Sequence, residues 1–203
     1  ANDAQIATFG RKMGYYNDYR VFGSDDMYAA SGNLLDFPYG ELGVMGVTFE
    51  LGTSQFQSCS YFESGIVPGN LDAFFYALKA ARRPYQNPAG PEAINVAVSP
   101  ETVIQGTLVQ LSATVDDTRY DSNGYGTEPT QDIQAARYSI DVPSRKGGTT
   151  HAMSATDGAF NEHVEGVTAT VDTWSLTGGK HIIFVEVQDA DGNRGVPSAV
   201  YLS

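Results

Sequence analysis

TLVQLSATV, the stretch at positions 107–115, decides the fold of the second half of the chain, because apolar and polar residues alternate along it. Its apolar positions fall on one face: Val109, Leu111, Ala113 and Val115. A period of two predicts a β-strand with one buried face and one face toward water. Similar apolar runs occupy 136–142, 167–171, 181–187 and 199–202, with turn sequences between them. Five or more short strands predict an all-β antiparallel sandwich over residues 94–203.

The composition indicates an acidic protein with enough apolar residues for a core. Of 203 residues, 41% are hydrophobic, and 24 acidic side chains against 12 basic ones give a net charge of −12. Such a surface repels phosphate, so we expect no nucleic acid and no anionic membrane among the partners. No apolar run approaches the roughly 18 residues of a membrane span. The single cysteine, Cys59, excludes a disulfide framework within the chain and a cysteine-rich zinc site.

The first half has the pattern of an incomplete α/β layer. Residues 4–13 predict a helix, and Asn70 is the candidate N-cap of a second helix that runs to about residue 83. The second helix carries an apolar stripe that should pack against another layer: Leu71, Phe74, Phe75 and Leu78. Residues 43–52 predict a buried strand. One strand and two helices cannot cover their own apolar faces, so residues 1–85 predict part of a larger α/β domain.

The composition changes near residue 94. Eight of the ten phenylalanines precede this position, and alternating Val- and Thr-rich runs follow it. Three prolines lie at the boundary, at positions 84, 88 and 91, and they disfavour regular structure. We therefore divide the chain into residues 1–85, a Pro-rich linker at 86–93, and the β-sandwich at 94–203.

The second half holds several candidate ligand groups, none of them in a specific motif. Its acidic loops, at 116–121, 162–165 and 189–191, leave two interpretations open, a calcium site or a solvated surface. The histidines at 151, 163 and 181 form no His-x-x-Glu or His-x-x-x-His pattern and do not predict zinc. Trp174 and the tyrosines at 120 and 125 are candidates for stacking on sugar rings, although a tryptophan beside a strand more often belongs to the core.

Glu50 is the unusual residue of the first half, because its carboxylate interrupts an apolar strand. Burial of an unpaired carboxylate costs several kcal/mol or forces protonation. A carboxylate at the C-terminal end of a strand in an α/β sheet faces the crevice where ligands bind. The alternative is an edge position or a buried ion pair.

Two blocks in the first half resemble the C-terminal part of zinc carboxypeptidases of the carboxypeptidase A type. That family carries a Tyr-x-Ala-Ser-Gly…Asp-Trp/Phe-x-Tyr block and then a Thr-Phe-Glu-Leu strand. Here MYAASGNLLDFPY at 27–39 is followed by TFEL at 48–51. FQSCSYFE at 56–63 and the closing helix look like bacterial members. The resemblance covers roughly residues 4–85 and implies the α/β/α fold of that family.

The resemblance also implies roles for individual residues. Glu50 matches the general base that activates the zinc-bound water and passes its proton to the leaving amine. Tyr28 matches the mobile tyrosine that closes over the substrate. The pocket for the C-terminal side chain of the substrate would be lined by Met27, Ala30, Asn33, Leu35 and Thr48. A leucine at position 35 favours apolar or aromatic C-terminal residues, whereas Asn33 departs from the glycine often found there.

The family's zinc ligands and its arginine clamp precede the tyrosine block, and residues 1–27 contain no histidine. We therefore expect no metal ligand of the family in this chain, with zinc bound only in the parent enzyme. The hypothesis is that the chain is the C-terminal fragment of a secreted metallocarboxypeptidase. Alone it should be inactive on peptide substrates, because the N-terminal part of the catalytic domain is missing.

Residues 179–193 resemble the closing hairpin of bacterial Ig-like or fibronectin-like modules, which are commonly appended to secreted enzymes. This resemblance implies an extracellular, bacterial protein.

Two alternatives to the peptidase hypothesis stay open. One is a non-catalytic module that binds carbohydrate, cell wall or calcium and carries a remnant peptidase segment. The other is a family member that has lost catalysis. Cys59 is either a free thiol or paired with a cysteine elsewhere.

Overall fold

The computed structural model describes residues 2–27, 32, 34–124 and 126–203, which form two compact units. The helical unit contains the residues up to Pro88 together with Tyr120–Pro129. The β unit contains Ala89–Arg119 and Thr130–Ser203. The chain therefore leaves the β unit once, contributes residues 120–129 to the helical unit, and returns. The sequence pattern gave no sign of this excursion.

The β unit is built from seven antiparallel strands. They are β1 (Glu92–Ser99), β2 (Leu108–Asp116), β3 (Ile133–Ile140), β4 (His151–Ala155), β5 (Val164–Asp172), β6 (His181–Asp189) and β7 (Ser198–Leu202). The strand order is β1-β2-β5-β4-β3-β6-β7. The sheet curls until β1 contacts β7, which nearly closes it into a barrel. The prediction of a mostly antiparallel β fold for this half is confirmed.

The core of the β unit lies on the concave side of this sheet. Val109, Leu111, Ala113 and Val115 are all buried, as the alternation in 107–115 predicts. They pack with the inward residues of the neighbouring strands, among them Val167, Val171, Ile183 and Val185. Side chains at odd positions of β2 therefore face the core, and those at even positions face outward.

Two strands, β1 and β4, were not predicted from the sequence. β1 begins at Glu92, inside the predicted linker, and a bulge between Ile94 and Ala97 interrupts its alternation. β4 has the sequence HAMSA, in which Met153 is the one large apolar side chain, so no apolar period is visible. The linker prediction is also wrong in part, because Asn87–Ala89 form a 3₁₀ turn and Pro88 is buried.

The helical unit contains five α-helices in its described part. These are α1 (Asp3–Asn17), α2 (Ser24–Met27), α3 (Asp36–Leu42), α4 (Cys59–Tyr61) and, after a π-helical turn at Phe62–Ile66, α5 (Val67–Ala80). The helix predicted at 4–13 corresponds to α1 and is longer than predicted. Among the described helices of both units, none is long and apolar enough to cross a membrane.

The predicted start of the last helix is wrong. α5 begins at Val67 with Pro68 in its first turn, where proline is favoured. Asn70 is buried inside the helix instead of capping it. Its side chain accepts a hydrogen bond from Asn17 Nδ2 at 3.0 Å and donates one to the Ile66 carbonyl at 2.9 Å. Partners distant in sequence thus override the local capping preference of asparagine.

The buried strand predicted at 43–52 is not formed. This segment has no regular secondary structure, and the described residues of the helical unit contain no strand longer than the single bridge between Val21 and Gly124. A strand needs a neighbour to satisfy its backbone N–H and C=O groups. Without one in this unit, the segment stays irregular, and the α/β layer expected for residues 1–85 is not seen.

The apolar stripe of α5 is exposed, which contradicts the expectation that it packs against another layer. Leu71, Phe74, Phe75 and Leu78 all lie on the surface, and Leu78 is 71% exposed. The buried face of α5 instead carries Asn70, Ala73, Tyr76 and Ala80, which face α1.

Candidate active site

Glu50 lies in the irregular segment and is exposed, so the prediction that its carboxylate is embedded in a buried strand is wrong. Two anchors hold the chain on either side of it. The ring of Phe49 packs against that of Phe74 with centroids 4.9 Å apart. The Gly52 amide donates a hydrogen bond to Tyr19 Oη at 3.2 Å. The carboxylate is therefore presented to solvent from a backbone fixed one residue before and two residues after it.

Tyr19 connects this segment to the helices. Its hydroxyl oxygen accepts hydrogen bonds from the Gly52 amide and from Asn70 Nδ2, both at 3.2 Å. Asn70 in turn binds Asn17 at the end of α1. No sequence signal marks this polar cluster, because its three hydrogen-bonded pairs lie 33, 51 and 53 positions apart and belong to no motif.

The predicted pocket residues are only partly brought together. Leu35 is half-buried at the start of α3, and its Cδ2 lies 2.8 Å from where a Cβ at Gly46 would stand. Leu35 therefore packs on the irregular segment two residues before Thr48, which is exposed. Met27 is exposed at the end of α2. Tyr28, Ala30 and Asn33 lie outside the described residues.

Neither of two shallow depressions coincides with the predicted site. One, of about 470 Å³, is lined by residues 82–86 after α5. The other, of about 330 Å³, lies between α1 and α5 and is lined by Tyr16, Phe75, Tyr76 and neighbouring side chains. Glu50 and Leu35 border neither of them.

The side chains present do not fit a zinc ion. Within residues 2–27, 32, 34–124 and 126–203, no group of three His, Cys, Asp or Glu side chains is arranged to hold a metal. His151 stacks on Tyr138 with ring centroids 5.0 Å apart, and His163 Nδ1 lies 2.9 Å from Asp132 Oδ1. His181 forms hydrogen bonds with Asp141 and with the Thr177 carbonyl.

The acidic loops of the β unit are used to close turns. Asp189 accepts hydrogen bonds from the amide and the side chain of Asn193, at 2.8 and 2.9 Å. Glu165 Oε1 accepts the amides of Asn161 and Glu162, at 2.9 and 3.0 Å. Both carboxylates are buried. These oxygens satisfy backbone donors, which accounts for acidic residues at these positions without a calcium ion.

His181 is held between two acceptors in a nearly buried position. Its Nδ1 lies 2.7 Å from Asp141 Oδ2, and its Nε2 lies 2.8 Å from the Thr177 carbonyl oxygen. A ring that donates from both nitrogens carries a positive charge. The hydrogen bonds to Thr177 and Asp141 therefore raise the pKa of His181 above 6.5, against the opposing effect of burial. Burial tends to raise the pKa of Asp141, but the hydrogen bonds from His181 and the Ile182 amide outweigh it and lower that pKa below 3.8.

This pair predicts a pH-dependent stability of the β unit. Because the pKa of His181 is raised in the folded state, its contribution is complete below about pH 6.5 and is lost as the pH rises through the folded pKa. Asp141 contributes above its unfolded pKa of 3.8, and this part is lost as the pH falls through the lowered value. Asp141→Asn should therefore lower the free energy of unfolding most at pH values between about 3.8 and 6.5, where both charges of the pair contribute in full. Urea unfolding followed by Trp174 fluorescence at pH 5 and pH 9 measures the difference. An equal loss at both pH values would contradict the assignment.

A buried ion pair in the helical unit is a further feature without a sequence signal. Glu128, in the 120–129 excursion, accepts hydrogen bonds from Thr8 Oγ1 at 2.9 and 2.8 Å and from Arg11 Nε at 2.8 Å. Arg11 Nη2 also contacts the same carboxylate. Lys12 Nζ, on the buried face of α1, lies 4.0 Å from the centroid of the Tyr120 ring.

The aromatic residues proposed for sugar stacking differ in their surroundings. Tyr120 is half-buried, and its hydroxyl donates to the Pro88 carbonyl at 2.9 Å. It therefore serves packing within the helical unit. Tyr125 lies outside the described residues. Trp174, in contrast, is 75% exposed, so the expectation that a tryptophan beside a strand joins the core does not hold here.

No protein-family profile and no curated protein matches the sequence. Among solved structures, the chain is similar to wild-type OgpA from Akkermansia muciniphila, with 14% identity and a TM-score of 0.36 over 55% of this chain and 26% of that one. It is similar to the alkylpurine DNA glycosylase AlkC of Pseudomonas fluorescens, with 18% identity and a TM-score of 0.34 over 70% of this chain and 40% of that one. The chain thus spans less than half the length of these two proteins.

A third similarity is to CopC from Methylosinus trichosporium OB3b, with 17% identity and a TM-score of 0.31 over 55% of this chain and 91% of that one. At these identities and TM-scores, the similarities carry no argument about function.

Proposed function

We propose that residues 1–85 are the C-terminal part of the catalytic domain of a zinc carboxypeptidase, which removes apolar or aromatic C-terminal residues from peptides. The observation that supports this most directly is the exposed apolar stripe of α5: Leu71, Phe74, Phe75 and Leu78. Burial of one such side chain is worth about 1.5–3 kcal/mol. A helix with an uncovered stripe of this kind suits a unit that folds against further chain.

Glu50 is the residue that we propose as general base. Its exposed carboxylate on an anchored segment can accept a proton from an attacking water. Leu35 and Thr48 would contribute to the pocket for the C-terminal side chain of the substrate, together with Met27, Ala30 and Asn33. Tyr28 would close over the bound peptide.

The described side chains form no zinc site, so in this proposal the metal ligands and the groups that bind the substrate carboxylate belong to the N-terminal part of the domain. The 203-residue chain alone is then inactive. Residues 94–203 would form an Ig-like or fibronectin-like sandwich appended to a secreted bacterial enzyme. The antiparallel sheet, with β1 in contact with β7, supports this part of the proposal.

The test compares the natural gene product with the 203-residue chain. Intact mass, zinc content and hydrolysis of a blocked dipeptide ending in Phe are measured for both. We expect a longer natural product that contains zinc and hydrolyses the dipeptide, beside an inert 203-residue chain. A natural product without peptidase activity, or stoichiometric zinc and activity in the 203-residue chain, would overturn the proposal.

A further inference from the structure

The central part of the outward face of strands β1, β2, β5 and β4 consists of uncharged side chains, and the carboxylates of Asp116 and Asp172 lie at the ends of β2 and β5. Two rows cross the strands in register: Ser99, Gln110 and Thr170 in one, and Ala97, Ser112, Thr168 and Ser154 in the other. We call these seven residues the neutral face. All are exposed except Thr168, which is half-buried and accepts a hydrogen bond from Gln110. These seven side chains carry no charge, in a chain whose net charge is −12.

Trp174 stands at the end of this face, two residues after the last residue of β5. Its amide donates to Asp172 Oδ1 at 2.9 Å, and its carbonyl accepts a hydrogen bond from Gln105 Nε2 at 3.0 Å. The same Gln105 nitrogen also donates to the Leu176 carbonyl at 2.8 Å. The backbone that carries the indole is therefore fixed on both sides, although the ring itself is largely in water.

Gly106 contacts the edge of the indole. It has a φ of +87°, and a Cβ at this position would lie 2.7 Å from Trp174 Cε3. The ring can lie against the backbone here only because the residue is glycine. The edge of the indole is thus held against the backbone, while the ring remains largely exposed to solvent.

We propose that the β unit binds a neutral polysaccharide, with Trp174 stacked on a sugar ring and the neutral face hydrogen-bonded to sugar hydroxyls. Sugar rings combine apolar C–H faces with hydroxyl groups. A supported indole matches the first, since it offers a flat apolar surface with a polar N–H. Serine, threonine and glutamine side chains match the second, because they both donate and accept hydrogen bonds.

The chemistry of the face argues against other partners. The centre of a protein interface is apolar and aromatic, whereas Ala97 is the one apolar member of the neutral face. Nucleic acids and anionic surfaces need basic side chains, and the neutral face has none. Ile104 and Leu108, which lie beside the Trp174 turn, are exposed and would extend the apolar contact to the next sugar.

The test uses the full 203-residue chain, which contains a single tryptophan, so its fluorescence reports on this site alone. The probes are cellulose, starch, a soluble β-glucan, polygalacturonate and phosphatidylcholine vesicles. We expect retention by at least one neutral polysaccharide and protection of Trp174 from iodide quenching by it. Trp174→Ala and Thr170→Glu should each weaken binding at least tenfold. The control is Tyr201→Ala, which removes another exposed aromatic of the β unit and should leave binding unchanged.

Thermal unfolding of each variant separates loss of binding from loss of fold. Binding to none of the three neutral polysaccharides would overturn the proposal. So would binding that Trp174→Ala leaves intact, an equal affinity for polygalacturonate, or a blue shift of Trp174 emission with vesicles alone. The outcome is independent of peptidase activity, because no probe involves Glu50.

Discussion

Replacement of Glu50 by Gln in the full-length gene product is expected to lower kcat for a blocked dipeptide ending in Phe by at least about 10²-fold. The amide has nearly the size of the carboxylate, yet it cannot accept a proton from the attacking water. Because Glu50 is exposed and makes no hydrogen bond to another described residue, the variant should retain the stability of the parent. Steady-state kinetics with thermal unfolding in parallel measures both effects.

The matched control is Glu41→Gln, which removes an exposed carboxylate from α3 in the same unit. It should leave kcat and KM unchanged. If Glu50→Gln hydrolyses the dipeptide at the rate of the parent, or if the two variants lose activity equally, Glu50 is not the base. A change confined to KM would place Glu50 in substrate binding and would also contradict its proposed role.

Replacement of Glu128 by Gln should destabilise the helical unit by about 3 kcal/mol, since one partner of a buried ion pair is lost while the other stays buried. The carboxylate of Glu128 accepts hydrogen bonds from Thr8 and Arg11. The side chains of Arg11 and Glu128 are both about one-tenth exposed. The amide can keep part of the contact with Thr8. It cannot balance the charge of the guanidinium.

The two units offer separate signals for this measurement. Helical circular dichroism follows the helical unit, because the α-helices belong to it, and fluorescence follows the β unit, because Trp174 lies there. Glu128→Gln should shift the dichroism transition in urea to lower concentration and leave the fluorescence transition in place. Glu63→Gln, an exposed carboxylate of the helical unit, should shift neither. Equal shifts of both transitions would contradict the assignment of residues 120–129 to the helical unit.

The strands were predictable where burial has a simple period. Positions 107–115 alternate because one side of β2 faces the core and the other faces water. The alternation does not mark β1, where the bulge shifts its phase, or β4, where Met153 is the one large apolar side chain. Local signals therefore predicted the strands that obey one rule along their whole length.

The helical unit shows why local patterns were less informative there. The segment at 43–52 has the composition of a strand, but a strand is completed by its neighbours, and composition does not supply them. Asn70 has the preference of an N-cap, but Asn17 and Ile66 offer it better partners. Glu128 pairs with Arg11 across 117 positions, a separation that a single sequence does not reveal.

For the candidate site, the sequence indicates which residues to consider but not their surroundings. Sequence motifs singled out Glu50 and Leu35, and the fold brings Leu35 against Gly46 near Thr48. The exposure of Glu50 was not predictable, because it depends on a neighbouring strand that the motif takes for granted. The sequence favours a core position for Trp174 because the residue stands beside a strand. Its exposure follows from the turn after β5, which Gln105 and Asp172 hold in place.

Because residues 120–129 belong to the helical unit, this unit becomes complete only after part of the β unit has been synthesised. α1 leaves the ribosome before the β unit, but the carboxylate that accepts hydrogen bonds from Arg11 is synthesised 117 residues later. At about 5–20 residues per second, roughly 6–23 seconds pass between the synthesis of Arg11 and that of Glu128. During that interval a charged, normally buried surface of α1 is open to water and to chaperones. Synthesis of the helical unit thus begins before that of the β unit and ends only after β2 has been synthesised.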